Sequence, residues 1–168
     1  MGVAGTGKSE IGHRLAKILG GAFVEADQFH SKENVERMRN GIGLTDADRW
    51  PWLATVCDAA TAETGQPVVI ACSVLKRSYR DFLRQRLGNV QFLFLHGSKD
   101  LINSRLLARR DHFASASLLE SQFQALEPPA ADEKPIWLDI AEEPAAIVAD
   151  AIDALGVWLA TLSEAIRP

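Results

Sequence analysis

Residues 2–9 have the types and spacing most able to do chemistry. They read Gly2, Val3, Ala4, Gly5, Thr6, Gly7, Lys8 and Ser9, which matches the pattern G-x-x-x-x-G-K-[ST] in full. Glycines let backbone N–H groups turn inward around a phosphate, where side chains would obstruct. Lys8 can reach the outer phosphates, and the Ser9 hydroxyl can ligate Mg²⁺. The segment predicts a nucleotide-binding loop for ATP and Mg²⁺, and the alternative is a glycine-rich turn with a coincidental Lys-Ser pair.

Acidic and imidazole side chains follow the apolar run at 22–24. They are Asp27 and His30. Ligands of open α/β sheets bind beyond the carboxyl ends of the strands, which is where these residues fall. Asp27 could accept a substrate hydroxyl proton or hold Mg²⁺ through water. The alternative is that both residues cap the next helix.

Basic residues follow the second apolar run and precede the sequence Pro-Trp-Leu at 51–53. Lys76 and Arg80 lie one helical turn apart, so they could bind an anionic substrate together or form a solvated helix face. Ser73 stands beside the substrate or caps that helix. Arg49 could hold a carboxylate through two hydrogen bonds, although an ordinary surface ion pair is equally consistent with the sequence.

A third basic group precedes the stretch at 113–129. Arg105 and Arg109 share a helical face, and an arginine-bearing flap that closes over ATP excludes water and neutralises developing charge. We therefore predict a lid at about 111–130, with Arg105 near the nucleotide and Arg109 as a catalytic candidate. The alternative is an exposed basic helix end, which the helix dipole favours.

Alternating strands and helices must position these residues. Apolar runs predict strands at 22–24, 68–72, 91–95 and 136–140. Periodic segments predict helices at 9–19, 31–40, 48–64, 79–87, 101–110, 118–126 and 145–165. This alternation is typical of an α/β fold with a parallel sheet and helices on both faces. No linker or repeat interrupts it, which predicts one domain over residues 1–168.

The position of the glycine-rich loop raises a question about the sheet. Such a loop should follow a buried strand, and only Met1 stands before Gly2. We therefore expect the first strand to be absent from this sequence and the sheet to be gapped. We expect Met1 to be an internal methionine, with an apolar β-type segment encoded directly upstream.

Composition excludes several other classes. The 168 residues have a formal charge of −4, and their basic residues form no run, so nucleic acid is not an expected partner. The apolar runs fall far short of the roughly 20 residues of a membrane span. The sequence has only two cysteines and begins without a secretory signal, which predicts a reducing, cytoplasmic location.

The sequence resembles the gluconokinase family, in particular the thermoresistant type of these small P-loop sugar-acid kinases. The matching runs are GVAGTGKS at 2–9, FVEADQFH at 23–30, LTDADRWPWL at 44–53, VIACSVLKRSYRDFLR at 69–84, FLFLHGSKDLINSRLLARRDHF at 92–113 and SQFQALEPPAADE at 121–133. The resemblance implies a three-layer α/β/α P-loop kinase fold with a small helical lid. It also implies ATP- and Mg²⁺-dependent phosphorylation of D-gluconate to 6-phospho-D-gluconate, a cytoplasmic location and a homodimer.

The same resemblance assigns roles by position. Lys8 and Ser9 would serve phosphate and Mg²⁺, and Asp27 would lie near the accepting hydroxyl. His30, Arg49, Ser73, Lys76 and Arg80 would surround the sugar acid, and Arg105 and Arg109 would lie near the nucleotide or lid. The sequence departs from the family at Glu25, where Asp is usual, and at Ser31, where Pro is common.

Two alternatives stay open. One is a related kinase for shikimate or another sugar acid, although a shikimate kinase should have Gly-Gly-Gly at the end of the strand predicted at 68–72, where this sequence has Cys-Ser-Val at 72–74. The other is a nucleotide-binding homologue that is inactive through loss of its first strand. A GTPase is excluded because the sequence has no Asn-Lys-x-Asp motif.

Overall fold

The structure, a computed structural model, describes residues 1–65, 67–108 and 116–165, with side chains described at 118–156 in the last range. Its helices are α1 (Lys8–Leu19), α2 (Lys32–Arg39), α3 (Asp46–Ala62), α4 (Arg77–Leu87), α5 (Lys99–Leu107), α6 (Ala116–Ala125) and α7 (Pro144–Ala165). Its strands are β1 (Ala22–Glu25), β2 (Val68–Ala71), β3 (Leu93–His96) and β4 (Ile136–Asp139). Each predicted strand and helix is confirmed, with ends that agree or differ by up to three residues.

Local capping decides where two of these helices begin. The Ser31 hydroxyl accepts a hydrogen bond from the Asn34 N–H at 3.1 Å, which makes Ser31 the N-cap of α2. Thr45 and Asp48 form a reciprocal capping box at the start of α3. Because that box satisfies the first free N–H groups, α3 begins at Asp46, two residues earlier than predicted.

The strands pair in parallel, as predicted, in two separate sheets. β1 pairs with β2, from Ala22 opposite Val68 to Glu25 opposite Ala71. β3 pairs with β4, from Leu93 opposite Ile136 to His96 opposite Asp139. The order along the described chain is therefore β1-β2 in one sheet and β3-β4 in the other.

Helices cover both faces, and the two core clusters belong to opposite faces. Phe94 packs into a cluster with side chains of α3 and α4, whereas the adjacent Leu95 packs into a cluster with side chains of α1 and α7. Successive side chains of a strand point to opposite sides of the sheet, so one short strand contributes to both clusters. The arrangement is the predicted three-layer α/β/α fold.

An apolar cavity of about 500 Å³ lies between the two sheets, lined by β2 and by side chains of α1 and β3. The Met1 amino group donates to the Leu93 carbonyl at 2.5 Å, and the Met1 carbonyl accepts from the Leu95 N–H at 2.9 Å. These bonds continue a parallel ladder along β3 for one residue. On the other side, the Gly2 N–H donates to the Ser73 carbonyl at 3.3 Å.

The amino group of Met1 is buried beside this cavity. Burial, followed by the nearby charge of Lys8, lowers the pKa of the Met1 amino group to about 5. Met1 is bonded to Leu93 and Leu95 of β3, and Gly2 is bonded to Ser73 just after β2, so these two residues connect the two sheets. The two halves of the sheet meet at the loop that follows Met1.

Candidate active site

The glycine-rich loop has the geometry of an anion cradle. Gly5 and Gly7 adopt left-handed φ values of 85° and 89°. A Cβ at Gly5 would lie 2.8 Å from Leu106 Cγ, whereas one at Gly7 would meet no atom of the described residues within 4 Å. The loop is therefore packed on its outer side and open beside Gly7. α1 begins directly after Gly7, so its N-terminal N–H groups and positive dipole end lie at this opening.

One peptide unit of the loop is held from both ends. The Val3 carbonyl accepts hydrogen bonds from Thr6 Oγ1 at 2.9 Å and Lys8 Nζ at 3.0 Å. The Ala4 N–H of the same peptide donates to Gln122 Oε1 on α6 at 2.6 Å. Gln122 is absent from the site residues predicted from the sequence. The only signal for it is its place in the run SQFQALEP at 121–128, which carries part of the family resemblance.

Ser9 is the second residue of α1, and its side chain is exposed at the open end of the loop. A hydroxyl oxygen there suits Mg²⁺, which takes few protein ligands beside the phosphates of its substrate. Within the described residues, no three His, Cys, Asp or Glu side chains are grouped as a metal site would need. Ser9 therefore fits a cation that is bound mainly by phosphate oxygens.

Asp27 and His30 lie after β1, in the short 3₁₀ segment Ala26–Phe29 and directly behind it. The Asp27 carboxylate is largely exposed and lies 3.8 Å from His30 Nε2. The His30 ring is buried and stacks on Trp52 with ring centroids 4.2 Å apart. Trp52 is fixed in turn, because its indole N–H donates to the Ala26 carbonyl at 2.8 Å.

His30 is held in its neutral form. Burial lowers its pKa, the Asp27 charge opposes that shift, and the Arg49 charge adds to it. Its Nδ1 is buried and has no hydrogen-bond partner among the described residues. A buried ring nitrogen without a partner costs free energy, and such a cost is tolerated where a ligand completes the bond. The capping alternative fails for both residues, since Ser31 caps α2.

A second group of charges lies where α3 begins and the loop after β2 ends. Lys76 Nζ lies 2.7 Å and 2.9 Å from the two oxygens of Asp46, and the Tyr79 hydroxyl donates to Asp46 at 2.6 Å. These bonds lower the pKa of Asp46. Arg49 lies over the Tyr79 ring at 5.9 Å and donates from Nε to the Leu44 carbonyl at 3.3 Å. The structure therefore brings Arg49 and Lys76 together, and it adds Asp46 and Tyr79, to which sequence reasoning gave no role.

Arg80 lies elsewhere, and its predicted substrate contact is corrected. Its side chain is fully buried, with Nε and Nη2 donating to the Glu133 carboxylate at 2.6 and 2.8 Å. Its Nη1 donates to three backbone carbonyls, those of Val74, Leu75 and Glu127. With its guanidinium engaged in this way, Arg80 fastens the loop after β2 to the segment after α6. The helical spacing of Lys76 and Arg80 does not place them in one site, because α4 begins only at Arg77.

Ser73 does not cap α4, whose N-cap is Lys76. The first N–H of α4, that of Arg77, donates instead to the Glu127 carboxylate at 2.6 Å. Ser73 lies just after β2, and its backbone joins this loop to Gly2. It therefore stands between the phosphate loop and the group around Lys76.

The predicted lid is partly described. Arg105 Nη2 donates to the Ile140 carbonyl at 2.6 Å, which ties α5 to the end of β4. Arg109 and the start of the predicted lid at 111–130 lie outside the described residues. From Ala116 onward the lid contains α6, and its Leu118 and Leu119 are buried. This part of the lid is packed on the core.

The phosphate loop and the residues that follow β1 both lie at the end of β2, since Gly2 is bonded to Ser73 and Glu25 pairs with Ala71. Burial raises the pKa of the Cys72 thiol to about 12, and the charges of Asp27 and Lys8 act on it in opposite directions. Cys72 precedes Ser73, whose carbonyl accepts the hydrogen bond from Gly2 of the phosphate loop. Such an arrangement can hold a phosphate on one side and an acceptor with hydroxyl and acidic groups on the other.

In the described part of the chain, no helix is long and apolar enough to span a membrane.

Comparison with known proteins agrees with this geometry. A family model described as "Shikimate kinase" matches residues 4–155. The fold also matches the APS kinase CysC from Mycobacterium tuberculosis, with a TM-score of 0.68 at 20% identity, covering 93% of this chain and 94% of that one. Fold and site thus define a P-loop kinase, an enzyme class that binds nucleotide at this loop.

More similar proteins narrow the class. A gluconokinase structure from Sinorhizobium meliloti 1021 superposes with a TM-score of 0.90 at 42% identity, covering 99% of this chain and 95% of that chain. The thermoresistant gluconokinase of Escherichia coli K12 is 41% identical over 92% of this chain and 90% of its own length. A probable gluconokinase of Mus musculus is 42% identical over 92% of this chain and 95% of its own. The chain belongs to the gluconokinase family, which confirms the resemblance predicted from the sequence.

Proposed function

We propose that this kinase transfers a phosphoryl group from ATP to the 6-hydroxyl of D-gluconate, giving 6-phospho-D-gluconate. The observation that carries the proposal is the gathering of Arg49, Lys76, His30 and Asp27 beyond the carboxyl ends of β1 and β2. Two cations suit a carboxylate, and an imidazole and a carboxylate suit a chain of hydroxyl groups. The names of the relatives, gluconokinases at 41–42% identity, support the same substrate.

On the acceptor side, Arg49 and Lys76 would bind the carboxylate of the sugar acid. Lys76 is paired with Asp46, so an incoming carboxylate would share or replace that contact. The unpartnered Nδ1 of His30 would take a hydroxyl, and Ser73 would line the same space. Asp27, which is exposed just after β1, would accept the proton of the reacting hydroxyl. Arg80 would contribute only by fixing the loop that carries Lys76.

On the nucleotide side, the loop at 2–9 would hold the phosphates with its N–H groups, and Lys8 would neutralise their charge. ATP with Mg²⁺ supplies the phosphoryl group and spreads its charge when bound. Ser9 would hold the Mg²⁺. Arg105 and Arg109 are proposed to act on the nucleotide from the lid side, where they would neutralise charge that develops during transfer.

The cellular setting follows from the resemblance and the cysteines. We propose a cytoplasmic enzyme, because both cysteines are free and buried, which suits a reducing compartment. We also propose a homodimer, which light scattering on a sizing column would test. Gluconate and ATP are the proposed partners, and no nucleic acid or membrane surface is expected to take part.

The test is an ADP-release assay over gluconate, shikimate, other aldonates and nucleoside monophosphates. Gluconate should give the highest kcat/KM by at least about tenfold, which corresponds to a difference of 1.4 kcal/mol in transition-state binding. A K8A variant assayed in parallel shows how much of the ADP release depends on the phosphate loop. Equal or better turnover of another acid would overturn gluconate as the substrate.

Shikimate is the second candidate, because the family model that matches residues 4–155 is described as shikimate kinase. It is also a carboxylate that carries hydroxyl groups, so Arg49 and Lys76 could bind it too. The residues at 72–74, Cys-Ser-Val, do not favour it, since glycines are expected there. Turnover of no acid at all would favour the third possibility, a nucleotide-binding homologue without activity.

A further inference from the structure

We propose that Gln122 is a positioning residue for the phosphate-binding loop. From α6 it holds the peptide between Val3 and Ala4 in the orientation that lets the loop receive phosphate. The inference rests on nucleotide binding by the loop and does not depend on which acid is phosphorylated.

The geometry singles out this peptide. Its N–H end is bonded to Gln122, and its carbonyl end is bonded to Thr6 and Lys8. The Gln122 contact, at 2.6 Å, is the shortest of the three, and it is the one supplied from outside the loop. Rotation of the peptide would break all three bonds at once. Gln122 therefore keeps the Val3 carbonyl turned toward Lys8.

The orientation matters for phosphate binding. A phosphate loop works because its N–H groups face the anion and its carbonyls face away. If the peptide before Ala4 turned over, its carbonyl would face the Gln122 carbonyl oxygen. Thr6 and Lys8 would then lose the acceptor that holds their side chains in the loop. A hydrogen bond from a separate helix is therefore an effective way to hold the loop.

α6 is anchored well enough to serve this purpose. Leu119 is 1% exposed and belongs to the same core cluster as Val3. Gln122 lies three residues after Leu119 and four after Leu118, so all three share one face of the helix. Gln124 is exposed on another face of the same helix, which makes it a matched control.

The site also connects the phosphate loop to the substrate-side loops. The end of α6 leads into Glu127, whose N–H donates to the Leu75 carbonyl at 2.9 Å. Glu127 also accepts from Arg77 and Arg80. Through Gln122 and Glu127, one short segment contacts both the loop that would hold phosphate and the loop that carries Lys76.

The test compares Q122L and Q122A with the control Q124L. The readouts are the Kd of ATP and of its non-hydrolysable analogue AMPPNP by calorimetry, the gluconate KM, and the Tm. We expect both Gln122 variants to weaken nucleotide binding about three- to tenfold, the effect of one lost hydrogen bond. We expect the gluconate KM and the Tm to stay close to those of the parent, and Q124L to change none of these values.

Other outcomes overturn the proposal. An unchanged Kd would remove Gln122 from nucleotide binding, and a tighter Kd would mean that its side chain competes with phosphate. If Q122L alone lost stability, the Kd measured with Q122A would decide the role of Gln122, because alanine adds no bulk and favours the helix. A fall in Tm in both variants that accounts for the loss of ATP binding would reduce Gln122 to a structural contact. Because AMPPNP binding needs no acceptor, failure here is distinguishable from a wrong substrate assignment.

Discussion

The phosphate-binding loop occupies eight consecutive residues, 2–9, whereas the acceptor-side cluster draws its side chains from three distant segments. The loop works through backbone N–H groups, which any residue supplies once glycines permit the turn. The cluster works through the ends of long side chains, and Lys76 reaches Asp46 across 30 positions of sequence. A change in the loop should therefore act on chemistry directly, and a change around the cluster should act through packing or affinity.

The two regions also rest on different halves of the sheet. Asp27, His30 and Lys76 follow β1 and β2, while the loop is bonded to β3 through Met1. A cavity of about 500 Å³ separates the halves. Alignment of a phosphate with an acceptor hydroxyl thus depends on contacts at the carboxyl ends of the strands, including that of Gly2 with Ser73.

The largest effect should come from K8A. Loss of the ammonium removes the cation placed to neutralise the phosphates, and we expect kcat to fall by about a thousandfold or more. The Tm should change little, since Lys8 is only partly buried. An ADP-release assay and a thermal melt measure the two quantities. Wild-type turnover by K8A would show that the loop is not the site of transfer.

The next effect should be on stability, through E133A. Glu133 and Arg80 are both about 1% exposed at their side chains, and removal of one partner leaves a buried charge without compensation. We expect a loss of about 3–5 kcal/mol in the free energy of unfolding. D132A is the control, because its pair with Arg77 is exposed to solvent and should contribute far less to stability. Urea unfolding compares the two, and equal losses would contradict the distinction.

The same pair predicts a pH dependence. Hydrogen bonds from Arg80 lower the pKa of Glu133 from 4.5 to about 2. The unfolded chain therefore binds a proton at higher pH than the folded one, so this stabilisation is complete above about pH 4.5 and is lost as the pH falls toward 2. E133Q should flatten that part of the stability curve, as measured by urea midpoints from pH 5 to pH 3. If stability depends on pH as steeply in E133Q as in the parent, other carboxylates cause that dependence.

The smallest effect should come from R49A. Loss of one charge-assisted contact with the acid should raise the gluconate KM about tenfold, with little change in ATP affinity. R39A, which removes an exposed cation paired with Glu36 on α2, is the control. A KM for gluconate that stays unchanged in R49A would place the carboxylate elsewhere.

Much of this architecture was predictable because it depends on local sequence. The strand and helix positions follow from short apolar runs and periodicity, and Ser31 caps α2 as its residue type predicts. The start of α3 was missed by two residues, since its cap depends on a reciprocal bond between Thr45 and Asp48. The site was predicted less completely, because the sequence does not show which polar side chain a distant segment will bury.

Arg80 and Lys76 show that limit most clearly. Both are basic residues of one short run, yet Arg80 is buried against Glu133, 53 positions away, while Lys76 stays at the rim with Asp46. Gln122 is a similar case, since its contact with Ala4 crosses 118 positions. The sequence by itself determined the phosphate loop, the alternation of elements and the family. Only the tertiary structure decided which charges are free to meet a ligand, because a buried charge must find its partner wherever the fold supplies one.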